Sequence, residues 1–583
     1  MVPTAFSGRV AAVSAALPLL ALAVVAGCGG SGHADTGNTH STTKRAATTA
    51  GTTTGAATGT TDAAANPREF PEFRVAMDEA TDYLDPGLSD TTEGWGVMWN
   101  VYLPLLGYRH VSGPRGAQLV PYLATTLPRI SKDRRTYRLT LRAGLHYSNG
   151  HRVKASDFEK TIERDFKLDS PGAGFFRNIV GAAAYAKHPG PKARIRGIVV
   201  DDAARSIEIH LKEPQADFSN VLASEFAAPV PADAPAADTS LHPLPATGPY
   251  EIKSYQPKSK IVLEKNPNFQ AWRFHGFVPA GNPDRVTWDI VPNASIAVRR
   301  VLAGKDDWMS YYQVPSKRLP AIERKHKWRL KLFTPPNLMY FFMNTRVPPF
   351  TSPKVRQAVN YAISRHWLRR LAGGLAHTSE NVLPPGYSSF RPHGLYRHNL
   401  RKAIRLVHQS GYWHWRKKVF VWNHDVAADL PFTEYLVSVL KGLGFRATTK
   451  VVTAGSYWTT IGNGKTRAQI GFANWVQDYP HPLDWFQLLD GRTITPTHNT
   501  NYANLDVGWV NREIERLTRP TKLTPRVDRR WAALDRRVMR LAPWAPFLNQ
   551  EGTDFFSTRV VLACYVNNVL YEFDYASICV SKK

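Results

Sequence analysis

Hydrophobic and polar positions alternate along several short stretches of this chain, and each alternation predicts a half-buried strand. Residues 136–142 put Tyr137, Leu139 and Leu141 on one face, and residues 206–211 do the same with Ile207, Ile209 and Leu211. Residues 73–77 and 261–264 read as two more strands. Helical spacing replaces alternation over 354–363, where Val355, Val359, Ala362 and Ile363 share one side. A second helical pattern covers 94–108, with Val97, Val101 and Leu105, although Pro104 must end or kink it. Ser156-Asp157-Phe158-Glu159 offers a cap to the helix that follows. The proline-rich residues 229–245 are a connection. After Pro335-Pro336-Asn337 comes an unbroken apolar run from Leu338 into Asn344. Strand and helix patterns alternate without an internal repeat, which predicts an α/β body.

The pattern fails at the N-terminus. Arg9 precedes an apolar run, Val10 to Val25, that Pro18 interrupts and that is too short to span a bilayer comfortably. Residues 1–28 therefore read as an export signal. Its end, Val25-Ala26-Gly27-Cys28, resembles a bacterial lipoprotein box, which implies that Cys28 is lipidated and holds the protein to a membrane; cleavage of an ordinary signal peptide is the rival reading. Residues 29–66 are almost all Gly, Thr, Ala and Ser and cannot bury a core. As a disordered tether they would span about 35 Å.

Composition narrows the class. The 583 residues exceed what one core supports, so several lobes are expected. The formal net charge is +27, but paired basic residues such as Arg134-Arg135, Arg299-Arg300 and Arg536-Arg537 are dispersed. With no nucleic-acid-binding signature beside them, they predict a cationic surface and no nucleic-acid partner. In an exported chain, neighbouring Cys564 and Cys579 read as a disulfide, with two buried free thiols as the alternative. Gly-x-Ser-x-Gly, His-Glu-x-x-His and Cys-x-x-Cys are all absent, and Gly464-Lys465-Thr466 has Thr459 where a phosphate loop needs glycine. His393 and His398 lie near no cysteine or carboxylate pair. No enzymatic activity, cofactor or metal is expected.

One stretch carries candidate chemistry. Residues 472–486 hold Trp475, Tyr479, Trp485 and Phe486 around Asp478, where Pro480 and Pro482 force a turn. A carboxylate walled by rings suits a cation such as a free amine. Taken alone, Asp478 reads rather as a cap for a helix starting near Leu483.

Beyond the tether, motifs resemble one family in order. They are Leu84-Asp85-Pro86, Val101-Tyr102-Leu103-Pro104-Leu105-Leu106-Gly107-Tyr108, Leu119-Val120-Pro121-Tyr122-Leu123-Ala124 and residues 135–158. Thr247-Gly248-Pro249-Tyr250, Asn266-Pro267-Asn268-Phe269, residues 355–363, Trp475 to Asp478-Tyr479, and Ala542-Pro543-Trp544-Ala545-Pro546 follow. The chain is similar to the family 5 solute-binding proteins of peptide and nickel ABC importers. The resemblance implies a two-lobed periplasmic-binding-protein type II fold with an extra subdomain in the first lobe. Lobe I would comprise 67–115, 245–335 and 545–583, its inserted subdomain 116–244, and lobe II 336–544. The C-terminal disulfide would then staple the tail to lobe I. The resemblance further implies that Asp478 pairs with a peptide's α-amino group, that Trp475 and Tyr479 border the pocket, and that Asp90, Thr91 and Thr92 present backbone to an extended ligand. Tyr340 and Asn344 would be wall residues. The lobes would close on a di- or oligopeptide, and a monomer on the outer face of the cytoplasmic membrane would deliver it to the importer's membrane subunits. A sugar or metal chelate on the same scaffold, or a secreted hydrolase, are the alternatives.

Overall fold

The computed structural model describes residues 72–581, except 78–80, 191, 292, 311–312, 427, 498, 521–522 and 571. The chain parts into two units, Met1–Ala64 and Ala65–Lys583. Every described residue belongs to the second. The expected export signal, Cys28 and the tether lie outside the described residues.

Three principal sheets organise that unit. One has five strands, in the order Trp308–Ser310, Glu72–Met77, Arg285–Ile290, Lys260–Lys265, Tyr250–Gln256. Glu72–Met77 pairs in parallel with both neighbours, and the remaining pairings are antiparallel. A four-stranded antiparallel sheet holds Arg129–Ile130, Thr136–Thr140, Ser206–His210 and Ile198–Asp201. Tyr137 and Leu139 are buried as the alternation predicts.

The third sheet has six strands, Ala376–Thr378, Trp544–Gln550, Asn337–Met343, Ile470–Val476, Lys418–His424 and Arg446–Val452. Asn337–Met343 is the apolar run, and all its residues are buried. Leu338, Tyr340 and Phe342 face one core with Trp531 and Leu534 of the helix Pro525–Leu541. Met339, Phe341 and Met343 face the other, with Val355 and Val359 of the helix Pro353–Ala362 and Leu436 of the helix Leu430–Gly442. A strand covered on both sides needs no polar face, hence the absence of alternation. Tyr340 stacks on Trp544 with ring centroids 4.0 Å apart, which is core packing. Pro546 is accommodated in Trp544–Gln550 by a register shift between Met339 and Tyr340.

Two expectations shift. The helix expected over 94–108 is only Thr92–Met98, and Leu106–Tyr108 is a strand. Between them the backbone bonds elsewhere. Leu103 N–H donates to Thr247 Oγ1 at 2.8 Å, and the Val101 carbonyl accepts from Gly248 N–H at 2.8 Å. A Cβ on Gly248 would collide with the Asn100 carbonyl, so this close approach requires glycine. The second shift concerns the return crossing. Trp544–Gln550 belongs to the six-stranded sheet, and Gly552–Phe555 pairs with Leu330–Phe333. The chain therefore leaves that sheet after Gln550, not near 544. The two connections run side by side, with the Asn337 amide donating to the Gln550 carbonyl at 2.9 Å and Gln550 N–H donating to Asn337 Oδ1 at 2.7 Å.

A disulfide joins Cys564 and Cys579, and the short strands Val560–Val561 and Cys579–Val580 pair beside it. No described helix is long and apolar enough to cross a membrane.

Candidate functional site

The strand Ile470–Val476 ends beside the connection at Pro336, whose carbonyl accepts Gln477 N–H at 3.1 Å. A turn through Pro480 and Pro482 leads into the short helix Leu483–Phe486. Its N-cap is Pro482 and no side chain caps it, so Asp478 does not serve as its cap.

The turn folds Asp484 back under Asp478. Asp484 is fully buried, and its Oδ2 accepts the Trp475 indole N–H at 3.3 Å and the Asp478 backbone N–H at 3.2 Å. Burial raises both carboxyls, and the charge of Asp478 raises Asp484 further; Asp478 is pushed up to about 8 by desolvation and then by the charge of Asp90, partly offset by its hydrogen bond to Asp484. Two adjacent carboxyls in low dielectric cannot both ionise cheaply, so one proton is shared between them.

Asp90 approaches from the other body. It is solvent-exposed, yet desolvation pushes it up to about 6, helped by Asp82. Its charge is felt at Asp478, so the two carboxyls lie near one another. Its charge also reaches Tyr502, beyond Asp478. A scaffold centred on Asp82 holds it: Oδ2 of Asp82 accepts Asp90 N–H at 2.7 Å, and Oδ1 accepts the hydroxyls of Ser89 and Thr91, both at 2.8 Å. Thr91 Oγ1 also caps the helix Thr92–Met98 through Gly94 N–H. A Cβ on Gly94 would overlap Ser89 Oγ.

These placements sort the residues singled out above. Asp478, Trp475 and Asp90 come together, with Trp475 partly exposed. Of the backbone at Asp90 and Thr91, Asp82 takes the Asp90 N–H and the Thr91 carbonyl accepts Trp95 N–H at 3.0 Å. Thr92 is half-buried at the first helical position. Tyr479 is buried: its hydroxyl donates to Asp217 Oδ2 at 2.6 Å and its ring packs edge-on against Phe175. Asn344 is not brought here. The register sets Leu338 opposite Trp475 and Met343 opposite Ile470, so Asn344 lies about 20 Å along the strand from Trp475. Both ends of its amide serve local backbone, Nδ2 donating to the Ala468 carbonyl and Oδ1 accepting Arg346 N–H. The rings of Trp485 and Phe486 are in the core, at 0% exposure, and wall no cation.

Sequence reasoning passed over Asp484, Asp217 and Tyr387. Tyr387 Oη accepts the Trp485 indole N–H at 2.9 Å and donates to Gln477 Oε1 at 2.5 Å. The signal for Asp484 was present: two aspartates flanking a Pro-x-Pro turn are brought face to face by it. Among the described residues no group of three or more His, Cys, Asp or Glu could hold a metal ion.

Two α/β bodies joined by paired connections, with Asp90 of one within electrostatic reach of Asp478 of the other, are the architecture expected of a clamp-type solute-binding protein. Residues 118–496 match the middle region of the bacterial extracellular solute-binding proteins, family 5, and the chain belongs to that family. It is 26% identical over 352 residues to a glutathione-binding protein, GsiB, of Salmonella typhi, an alignment covering 59% of this chain and 63% of the relative. With GsiB of Escherichia coli O157:H7 it shares 23% identity over 498 residues, 82% of this chain and 88% of the relative. Among solved structures it is similar to clavulanic acid biosynthesis oligopeptide binding protein 2, with TM-score 0.81 and 22% identity over 89% of this chain and 96% of the other. It also resembles DppA from Helicobacter pylori in complex with the peptide STSA, with TM-score 0.70 and 19% identity over 88% of this chain and 99% of the other. The fold is the two-lobed periplasmic-binding-protein type II fold with a subdomain inserted in the first lobe.

Proposed function

We propose that this protein captures a small peptide with a free amino group by lobe closure and delivers it to the membrane subunits of an ABC importer. It would act as a monomer on the outer face of the cytoplasmic membrane, anchored through a lipid on Cys28, and would bind without chemical turnover. In this reading lobe I comprises 67–115, 245–335 and the residues after 551, with 116–244 inserted, and lobe II comprises 336–550.

One observation carries the proposal. Asp478 is a half-buried carboxyl whose charge is disfavoured until a cation arrives, set between Trp475, Asp484 and the facing Asp90. An ammonium group would replace the shared proton and attract both walls, which links capture to closure. The names of the relatives, glutathione-binding and oligopeptide binding among them, point to ligands that carry such a group. Tyr479 becomes a latch in this account, since its bond to Asp217 ties the six-stranded body to the inserted subdomain. A sugar is less well served, because Trp485 and Phe486 are in the core and leave Trp475 as the partly exposed ring of the stretch.

Calorimetric titration with short peptides and their N-acetylated counterparts tests the reading. Free-amine peptides should bind at least a hundredfold more tightly. Equal affinity, or binding of neutral sugars alone, would remove Asp478 from the ligand.

A further inference from the structure

A cavity lies on the six-stranded body, in a strongly basic segment. Sequence patterning suggested dispersed basic charge, yet residues 364–418 hold eleven Lys and Arg against one acidic residue, Glu380, a net +10 of the chain's +27. Part of this segment closes round a cavity of about 430 Å³, lined by the helix Arg365–Leu371, the strand Ala376–Thr378 and residues 396–398. That volume is in the range of small-ligand sites and well above a single ion.

The lining is cationic in a specific way. Arg365 is buried, and its guanidinium donates only to neutral oxygens: the carbonyls of Ser379, Pro546, Asn360 and Tyr396, and Asn360 Oδ1, at 2.7–3.2 Å. No carboxylate bonds it directly; burial lowers it to about 10, partly offset by the charge of Glu380. Arg369 and Arg397 are exposed at the mouth, and among the described residues neither forms an ion pair. His366 and His398 add exposed ring donors. Glu380 is the one carboxylate in the lining, and its Oε2 is occupied by Tyr396 N–H at 2.9 Å. Three arginines against one glutamate leave a net of two positive charges in the lining.

We propose that this cavity binds a phosphate ester, held by Arg369 and Arg397 and favoured by the buried charge of Arg365. Guanidinium groups match phosphate oxygens, and two without ion partners at one mouth, Arg369 with its Nε on the Gly374 carbonyl at 3.2 Å, suit a doubly charged head with an organic remainder inside. The phosphate could belong to a soluble ester or to a lipid headgroup. Trp367 and Leu371, 44% and 37% exposed on the same helix, give the rim the amphipathic character a membrane surface meets.

The full chain would be titrated with sn-glycerol 3-phosphate at fixed ionic strength. It would also be sedimented with phosphatidic acid–phosphatidylcholine vesicles and with phosphatidylcholine vesicles alone. Arg369→Glu/Arg397→Glu should weaken whichever binding is seen at least tenfold. Arg324→Glu/Lys325→Glu, an equal charge change on the exposed part of the helix Leu319–His326, should leave it intact, and peptide affinity should be unchanged in both. Binding of the soluble ester without a vesicle preference assigns a soluble ligand; preference for the anionic vesicles alone assigns a headgroup. No binding in either arm, or equal loss in the two variants, overturns the proposal.

Discussion

Asp85 and Asp478 are both aspartates set among protein atoms, and they behave in opposite ways. Asp85 is fully buried and saturated. Arg164 grips it through Nη1 at 2.8 Å and Nη2 at 2.6 Å, while the Thr239 hydroxyl and the Gly87 and Thr239 N–H groups supply the rest. Desolvation alone would raise it, but the hydrogen bonds and charge of Arg164 hold it below its ordinary value. Asp478 pairs with no cation among the described residues; desolvation and the charge of Asp90 push it up. The difference teaches where this molecule keeps its structural ion pairs and where it leaves a charge incomplete. A completed carboxylate locks the first lobe to its inserted helix Ala155–Lys167. An incomplete one waits for a guest.

The comparison is broken most severely by Asp85→Asn. Arg164 would be left buried without its counter-charge, at a cost of about 3–5 kcal/mol. Denaturant midpoints should fall accordingly. Asp478→Asn should act on the other side of the contrast: peptide affinity drops by about 2–5 kcal/mol, while the melting temperature holds or rises because a disfavoured charge is gone. Loss of folding with no selective loss of binding would reverse that assignment.

Acidity sharpens the contrast. The folded value of Asp478 lies above its unfolded one, so its contribution to stability declines as pH rises from near 3.8 through about 8. Ligand affinity should run the other way, since the ammonium needs the ionised form. It should grow about tenfold from pH 6 to pH 7, with proton release readable from the buffer dependence of the binding enthalpy. Asp85 is depressed, so its contribution is present above 3.8 and vanishes as pH falls below that. The smallest expected change is Tyr479→Phe. Loss of the hydroxyl bond to Asp217 should weaken peptide binding by about 1.5 kcal/mol and widen the unliganded particle in solution scattering.

Local pattern made much of this fold readable. The strands at 136–140 and 206–210 declared themselves by alternation because each has one wet face. Residues 337–343 declared themselves by unbroken apolarity, because both faces are covered. The helix expected over 94–108 failed because the carbonyls of Asn100 and Val101 and the N–H of Leu103 bond to Thr247, Gly248 and Tyr250, which no local window reveals. The site followed the same rule. Asp478 stood out by its place between rings and by family resemblance. Asp484 acquires meaning only once the Pro480–Pro482 turn brings it back, and Asn344 loses its expected role once strand register is known.

Neighbouring crossings have a mechanical consequence. Pro335 and Pro336 stiffen one strap, and the amide of Asn337 fastens it to Gln550 on the other. Twin straps tied at one rung resist torsion but fold readily along the line joining them. Any swing between the halves should therefore resemble a door on its jamb, bringing Asp90 towards Asp478 along one reproducible arc.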